Sequence, residues 1–276
     1  MTVRDALERG AALLAKAGVD TPEVDAEWLL AHVLALSRSE LQTEQARELS
    51  VDEEASFDAG LDRRARREPL AYVLGEWGFR RLTLTVDARA LVPRPETEVL
   101  VERCLTLLAG VAEPRVLDVG VGSGAIALAI ADEHPGTDVL AIDSSEAALA
   151  LARENRARAR VNGRVRLVHG DLLAGVDGRF DLVVSNPPYV GAEEWERLQP
   201  EIRLYEPRAA LVGTGVGEAI ARDAQAVLAP GGRLVLESGP AEAPGLASAL
   251  EDLGYDEVRV TADLAGRDRV VEGRQP

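Results

Sequence analysis

The chain has 276 residues, 46% hydrophobic and 28% charged, enough apolar matter for one large domain plus a small one and too much for a disordered chain. Against 31 basic residues stand 47 acidic ones, a formal net charge of −16 that repels a polyphosphate partner unless a local basic stripe overcomes it. A single cysteine, Cys104, and three scattered histidines argue against a disulfide framework, a metal site and a histidine-based triad.

The first residues, MTVRDALERGAALLAKAG, carry charge through their first turns and lack the apolar core of a signal peptide, and no later run approaches a membrane span. The expected location is therefore cytoplasmic, with no membrane partner. Residues 1–75 place Ala26, Leu29, Leu30, Val33 and Leu34 at helical spacing, which predicts an all-helical domain. Thr21-Pro22 predicts a helix start with Thr21 as N-cap. Arginines cluster at 63, 64, 66 and 67 and again from 156 to 166. Either group can touch phosphates, but solvated helix faces are the plainer reading.

Residues 76–94 form a linker in which Leu82, Leu84 and Val86 alternate with Thr83 and Thr85, the period of a half-buried strand, and predict a hairpin. From residue 95 to 276 strands and helices alternate: VLDVG, a helix from Gly124, DVLAID, a helix from Ser145, RVRLVHG, FDLVVS, a helix near Gly217, GRLVLES, and a helix to about Leu253. This rhythm predicts an α/β fold, a mostly parallel Rossmann-like sheet covered on both faces. The last two strands, DEVRVTAD and DRVVEGR, have no room for a helix between them, so one is expected to run antiparallel.

The first strand of this region runs straight into Gly120, Val121, Gly122, Ser123 and Gly124 and then into an apolar helix. Glycines there let the backbone turn sharply and approach a ligand, and the helix end offers free N–H groups. Asp143, ending the next strand, is placed to accept both hydroxyls of a ribose. The spacing differs from the dinucleotide fingerprint and resembles the first motif of methyltransferases that use S-adenosylmethionine. FDLVVS then delivers Asn186-Pro187-Pro188-Tyr189 to the same sheet edge. The prolines remove backbone donors, leaving the Asn186 side-chain oxygen and the Pro187 carbonyl as rigid acceptors for an –NH₂ group, with Tyr189 free to stack on its π plane.

Taken together, LVPRPETE at 91–98, LDVGVGSGAIALA, GDLL at 170–173, FDLVVSNPPYV, YEPRAAL at 205–211 and GGRLVLE at 231–237 resemble the HemK family in order and spacing. That family methylates the glutamine of a Gly-Gly-Gln motif in class 1 peptide chain release factors. The resemblance implies a class I seven-stranded catalytic domain over 95–276, a substrate-recognition role for 1–75, and S-adenosylmethionine held by residues 120–124, Asp143, Asp171, Leu172 and Asn186. Residues 186–189 would hold the glutamine, with Asn186, Pro187 and Tyr189 catalytic and no metal. Arg94, Pro95 and Glu98 would line the site or simply start a helix; Glu206 and Arg208 would line it or fix a loop. Leu172 stands where the family usually has an aromatic residue, and Ala241 and Glu242 where many members carry glutamine. A ribosomal-protein glutamine or a nucleic-acid amine are the alternative substrates, the latter disfavoured by the acidic charge.

Overall fold

The computed structural model describes residues 1–276. The chain divides into two compact units, Met1–Glu76 with Gln199–Tyr205, and Trp77–Leu198 with Glu206–Pro276.

The helical unit contains α1 (Val3–Lys16), α2 (Pro22–Leu34), α3 (Arg38–Thr43), α4 (Val51–Ala65) and α5 (Leu70–Leu74). Thr2, Ser37 and Ser50 each begin a helix with a capping box, the side chain accepting from the third residue on while that residue's carboxylate takes the cap N–H. Thr21 behaves otherwise. Pro22 does open α2, but the Thr21 hydroxyl donates to Asp25 Oδ1 at 2.8 Å and makes no cap bond. Leu14, Leu30, Leu41, Phe57 and Leu61 form the core of this unit, all essentially solvent-free.

A later stretch of chain completes it. In α10 (Pro200–Tyr205), Glu201 takes a forked pair from Arg67, Nε to Oε1 at 2.6 Å and Nη2 to Oε2 at 2.7 Å. Arg64 adds 2.8 Å to Glu201 and 2.6 Å to Asp25. The expectation of solvated faces holds for Arg63 and Arg66, which are exposed, and fails for Arg64, which is buried because a guanidinium with two carboxylate partners can leave water. Truncating Glu201 to alanine leaves Arg67 without its forked partner and Arg64 with Asp25 alone. It should cost about 3 kcal/mol of unfolding free energy. Urea denaturation checks this, and a loss below about 1 kcal/mol, the scale of a surface pair, would show the network to be idle.

The second unit opens with the two-stranded ribbon β1 (Glu76–Phe79) and β2 (Leu82–Thr85), then α6 (Pro95–Leu108). β3 (Arg115–Val119), α7 (Ala125–Glu133), β4 (Asp138–Asp143), α8 (Glu146–Ala159), β5 (Val165–His169) and β6 (Phe180–Ser185) follow. After the short α9 (Ala192–Trp195) come α11 (Val216–Ala224), β7 (Leu228–Glu237), α12 (Ala243–Asp252), β8 (Asp256–Ala262) and β9 (Asp268–Arg274). The seven strands from β3 onward order as β5-β4-β3-β6-β7-β9-β8. All run parallel except β9, antiparallel to both neighbours. Central strands are apolar on both faces because helices cover both; β3 and β6 bury Val116, Leu117, Val119, Leu182, Val183 and Val184. Cys104 is solvent-free on α6, and burial pushes its thiol well up, so it is packing and not a nucleophile.

Strand order reverses between β3 and β6, since β3 is followed outward by β4 and β6 by β7. Ligands of open α/β sheets bind at the carboxyl ends of strands flanking such a reversal.

Candidate active site at the strand-order switch

Register brings the motifs together. Ser185 lies opposite Val119 of β3 on one side and Leu236 of β7 on the other, so Gly120, Asn186 and Glu237 leave three adjacent strands at the same level. The Ser185 hydroxyl donates to the Val119 carbonyl at 2.6 Å and ties β6 to β3 at the point of exit.

The glycine loop is built by its backbone. Gly120, Gly122 and Gly124 have φ of +81°, +54° and +90°, a region costly to residues with a Cβ. The amides of Gly120 and Val121 both donate to the Ile142 carbonyl at 2.9 Å. Asp143 holds the loop with both carboxylate oxygens: Oδ2 accepts from Gly122 N and Oδ1 from Ser145 N, each at 2.8 Å. Beneath the loop Asn155, fully buried on α8, donates to the carbonyls of Ser123 and Thr85 at 2.9 Å and accepts from Thr85 N at 2.7 Å. Asp118 on β3 accepts from Ala127 N at 3.1 Å; burial pushes its carboxyl up to about 7, with the Asp143 charge adding to the rise.

Above the loop lies a cleft of about 420 Å³, within the size range of small-ligand sites. Its walls include Gly120, Val121, Gly122, Ser123, Asp143, Asp171, Leu172, Asn186, Pro187 and Pro188. Leu172 sits at φ +48°, an uncommon left-handed backbone for a branched side chain, and is half-buried against the core. Gly124 stands behind the loop, where a Cβ would come within 2.8 Å of Leu128 Cδ1. A bent nucleoside with a short polar tail fits these walls: a carboxylate at the end of β4, exposed backbone turns at the loop, and apolar surface from Ile126 and Leu172.

Tyr189 does not line this cleft. It borders a smaller cavity of about 260 Å³ beyond the prolines. There its hydroxyl accepts from Arg269 at 3.4 Å and donates to Glu237 Oε1 at 3.5 Å, and burial pushes it up to about 12. Arg94 lines the cleft and pairs with Glu206, which is buried and also accepts from Val92 N at 3.2 Å. Glu98 is structural, accepting from Arg80 N at 3.0 Å at the turn of the ribbon. Arg208 packs over the Trp195 ring at 5.7 Å and so fixes the loop after β6. Asn155 had no signal in the sequence, and Thr97 and Glu237 were present only as members of LVPRPETE and GGRLVLE with no role of their own. The contacts of all three are with neighbours distant in the chain.

Residues 5–75 match the model described as PrmC N-terminal domain, and 95–201 the model described as Methyltransferase small domain. The chain is 44% identical to the release factor glutamine methyltransferase of Deinococcus radiodurans, over 100% of this chain and 99% of that one. It is 42% identical to the protein of the same name from Caulobacter vibrioides, over 94% and 92% of the two chains. The chain belongs to the release factor glutamine methyltransferase family. A solved methyltransferase from Pyrococcus furiosus shares the fold, with a TM-score of 0.54 at 22% identity over 78% of this chain and 98% of that one. The two alignments run across both the helical unit and the sheet unit of this chain.

Proposed function

We propose that the chain transfers a methyl group from S-adenosylmethionine to the side-chain amide nitrogen of the Gly-Gly-Gln glutamine in class 1 peptide chain release factors, in the cytoplasm, modulating translation termination. The observation that carries the chemistry is the register that sets Asn186-Pro187 beside the glycine loop. The full-length relatives carry the choice of substrate. The helical unit, residues 1–75 with the segment around Glu201, recognises the release factor, and residues 95–276 perform the transfer.

An amide nitrogen is a poor nucleophile because its lone pair is delocalised into the carbonyl. Asn186 Oδ1 and the Pro187 carbonyl accept its two hydrogens and so fix the plane of the amide. With the nitrogen's hydrogens pinned, its lone pair faces the cleft, and alignment supplies much of the rate. When bound, S-adenosylmethionine would supply an electrophilic methyl carbon on a sulfonium, whose carbon–sulfur bond breaks as the carbon–nitrogen bond forms, the thioether leaving and the methylated amide giving up one N–H proton to water. Residues 120–124, Asp143, Asp171 and Leu172 would hold it, Asp143 using the lone pairs left over from the loop amides for the ribose. Pro187 has no N–H, so no backbone donor competes for the acceptors.

Labelled methyl from S-adenosylmethionine should appear in purified release factor, and peptide mass spectrometry should place it on the glutamine of Gly-Gly-Gln. A ribosomal protein and total RNA serve as parallel substrates. Label in either of those and none in the release factor would overturn the substrate while leaving the transfer chemistry standing.

A further inference from the structure

The cavity of about 260 Å³ beyond the prolines has no task in the transfer chemistry. Pro187 and Pro188 line both it and the cleft. A chain whose glutamine rests on that dipeptide therefore has its flanking residues within reach of the cavity, since each residue of extended chain spans about 3.5 Å. Glu218, Glu237 and Glu242 face the cavity together with Tyr189, Ser238 and Leu246, and no lysine, arginine or histidine lines it.

None of the three carboxylates is ion-paired within the fold. Helix ends account for two of them singly: Glu218 stands in the first turn of α11 and Glu242 at the start of α12, where an acid is favoured. Glu237, at the end of β7, has no such account. It is 2% exposed, its Oε1 meets the Tyr189 hydroxyl at 3.5 Å, and its Oε2 has no hydrogen-bond partner. Arg269 is turned away from it, Nη1 donating to the Ser238 carbonyl at 3.3 Å and Nη2 lying 3.7 Å from Asp263. Burial pushes the Glu237 carboxyl up to about 7, as befits an acid with too little positive charge around it. A buried acceptor left open in this way is costly unless something outside the fold completes it.

We propose that this cavity receives a basic side chain of the release factor, from the segment flanking the methylated glutamine, with its cationic head among Glu218, Glu237 and Glu242 and its alkyl stem along Pro188, Val216 and Leu246. The inference rests on the reading that Asn186-Pro187 holds the glutamine, and it adds a second point of attachment that selects which glutamine enters. Charge decides the class of occupant. A phosphate or carboxylate is repelled, a neutral side chain leaves the acids unpaired, and a basic one satisfies them while burying its stem against the apolar wall. The three carboxylates are not grouped as metal ligands. A guanidinium, broader than an ion and forked, spans acceptors that are set apart, so arginine suits the cavity better than lysine.

The test is a coupling measurement between the full-length enzyme, loaded with S-adenosylhomocysteine, and full-length release factor. Each lysine and arginine within about six residues of the glutamine, about 20 Å of extended chain, is replaced in turn by glutamine. One replacement should weaken binding about tenfold against the native enzyme and less than about twofold against Glu237→Gln, because the pair it breaks is already broken there. The double variant Glu218→Gln, Glu242→Gln carries the same prediction and serves if Glu237→Gln does not fold. Undiminished binding in every replacement, or equal weakening against the native enzyme and both variants, would overturn the proposal. Methyl transfer by native and Asn186→Ala enzyme, followed alongside, separates the two readings. A native rate in Asn186→Ala removes the glutamine site on which the cavity depends, whereas a dead Asn186→Ala without any coupling removes the cavity alone.

Discussion

Asn186→Ala should reduce methyl transfer to the release factor by about 10²- to 10³-fold, equivalent to about 3 to 4 kcal/mol of transition-state stabilisation, while cofactor affinity stays within about threefold of native. The asymmetry follows from the site. Asn186 lines the cleft, but its one protein bond is to Thr97, and it takes no part in the bonds that shape the glycine loop. Losing it removes an acceptor from the reacting nitrogen and leaves the loop standing. Asn186→Asp sharpens the prediction. It keeps acceptor oxygens at that place and forfeits only the Nδ2 contact with Thr97, so it should be less impaired than the alanine. Single-turnover rates with calorimetric titration of S-adenosylhomocysteine measure both quantities. Activity within about tenfold of native in Asn186→Ala would mean that the amide is aligned by other groups, because a lost hydrogen bond to a reacting centre costs more than that.

The parts of the molecule legible in the sequence are those whose residues carry a local constraint. β3 and β6 announce themselves as apolar runs ending in glycine or in Asn-Pro, and their placement at one sheet edge follows from βαβ connection rules. The antiparallel strand at the far side was legible because no helix fits between residues 262 and 268. Where the reading failed, the deciding contact lies far away in sequence. Residues 192–205 show neither clean period, being mixed in charge and interrupted by Pro200, and they form short helices. The second of these joins the helical unit through a pairing of Glu201 with Arg67 that spans 134 residues. Thr97 looks like any first-turn helical residue until α6 is laid beside β6, and Glu237 like the polar end of a strand until β7 pairs with it. The Tyr189 hydroxyl meets Arg269 and Glu237, neither of which sequence spacing connects to it.

Asp143→Asn should weaken S-adenosylmethionine binding by about 30- to 100-fold, about 2 to 3 kcal/mol, and it should do so although the substitution changes almost no volume. A carboxylate offers two acceptor oxygens, and both are used: one for Gly122 N and one for Ser145 N, each at 2.8 Å. An amide offers one oxygen, so whichever way it turns its –NH₂ opposes a backbone N–H. Either Gly122 loses its anchor and the loop relaxes, or Ser145 does and the start of α8 loosens. The ribose contact expected of Asp143 is lost as well, because an amide cannot accept from two hydroxyls while accepting from the loop. Asp143→Ala removes the acceptors without introducing a donor, so it should bind the cofactor no worse than the asparagine. That order is opposite to the one size alone predicts. In both variants kcat at saturating cofactor should remain within about threefold of native, since lost ground-state binding that is equally lost in the transition state appears in affinity and not in turnover. Isothermal titration of S-adenosylmethionine and saturation kinetics on the two proteins decide the matter. Native affinity in Asp143→Asn would show that the loop holds its shape without the carboxylate and that the ribose is bound by other groups.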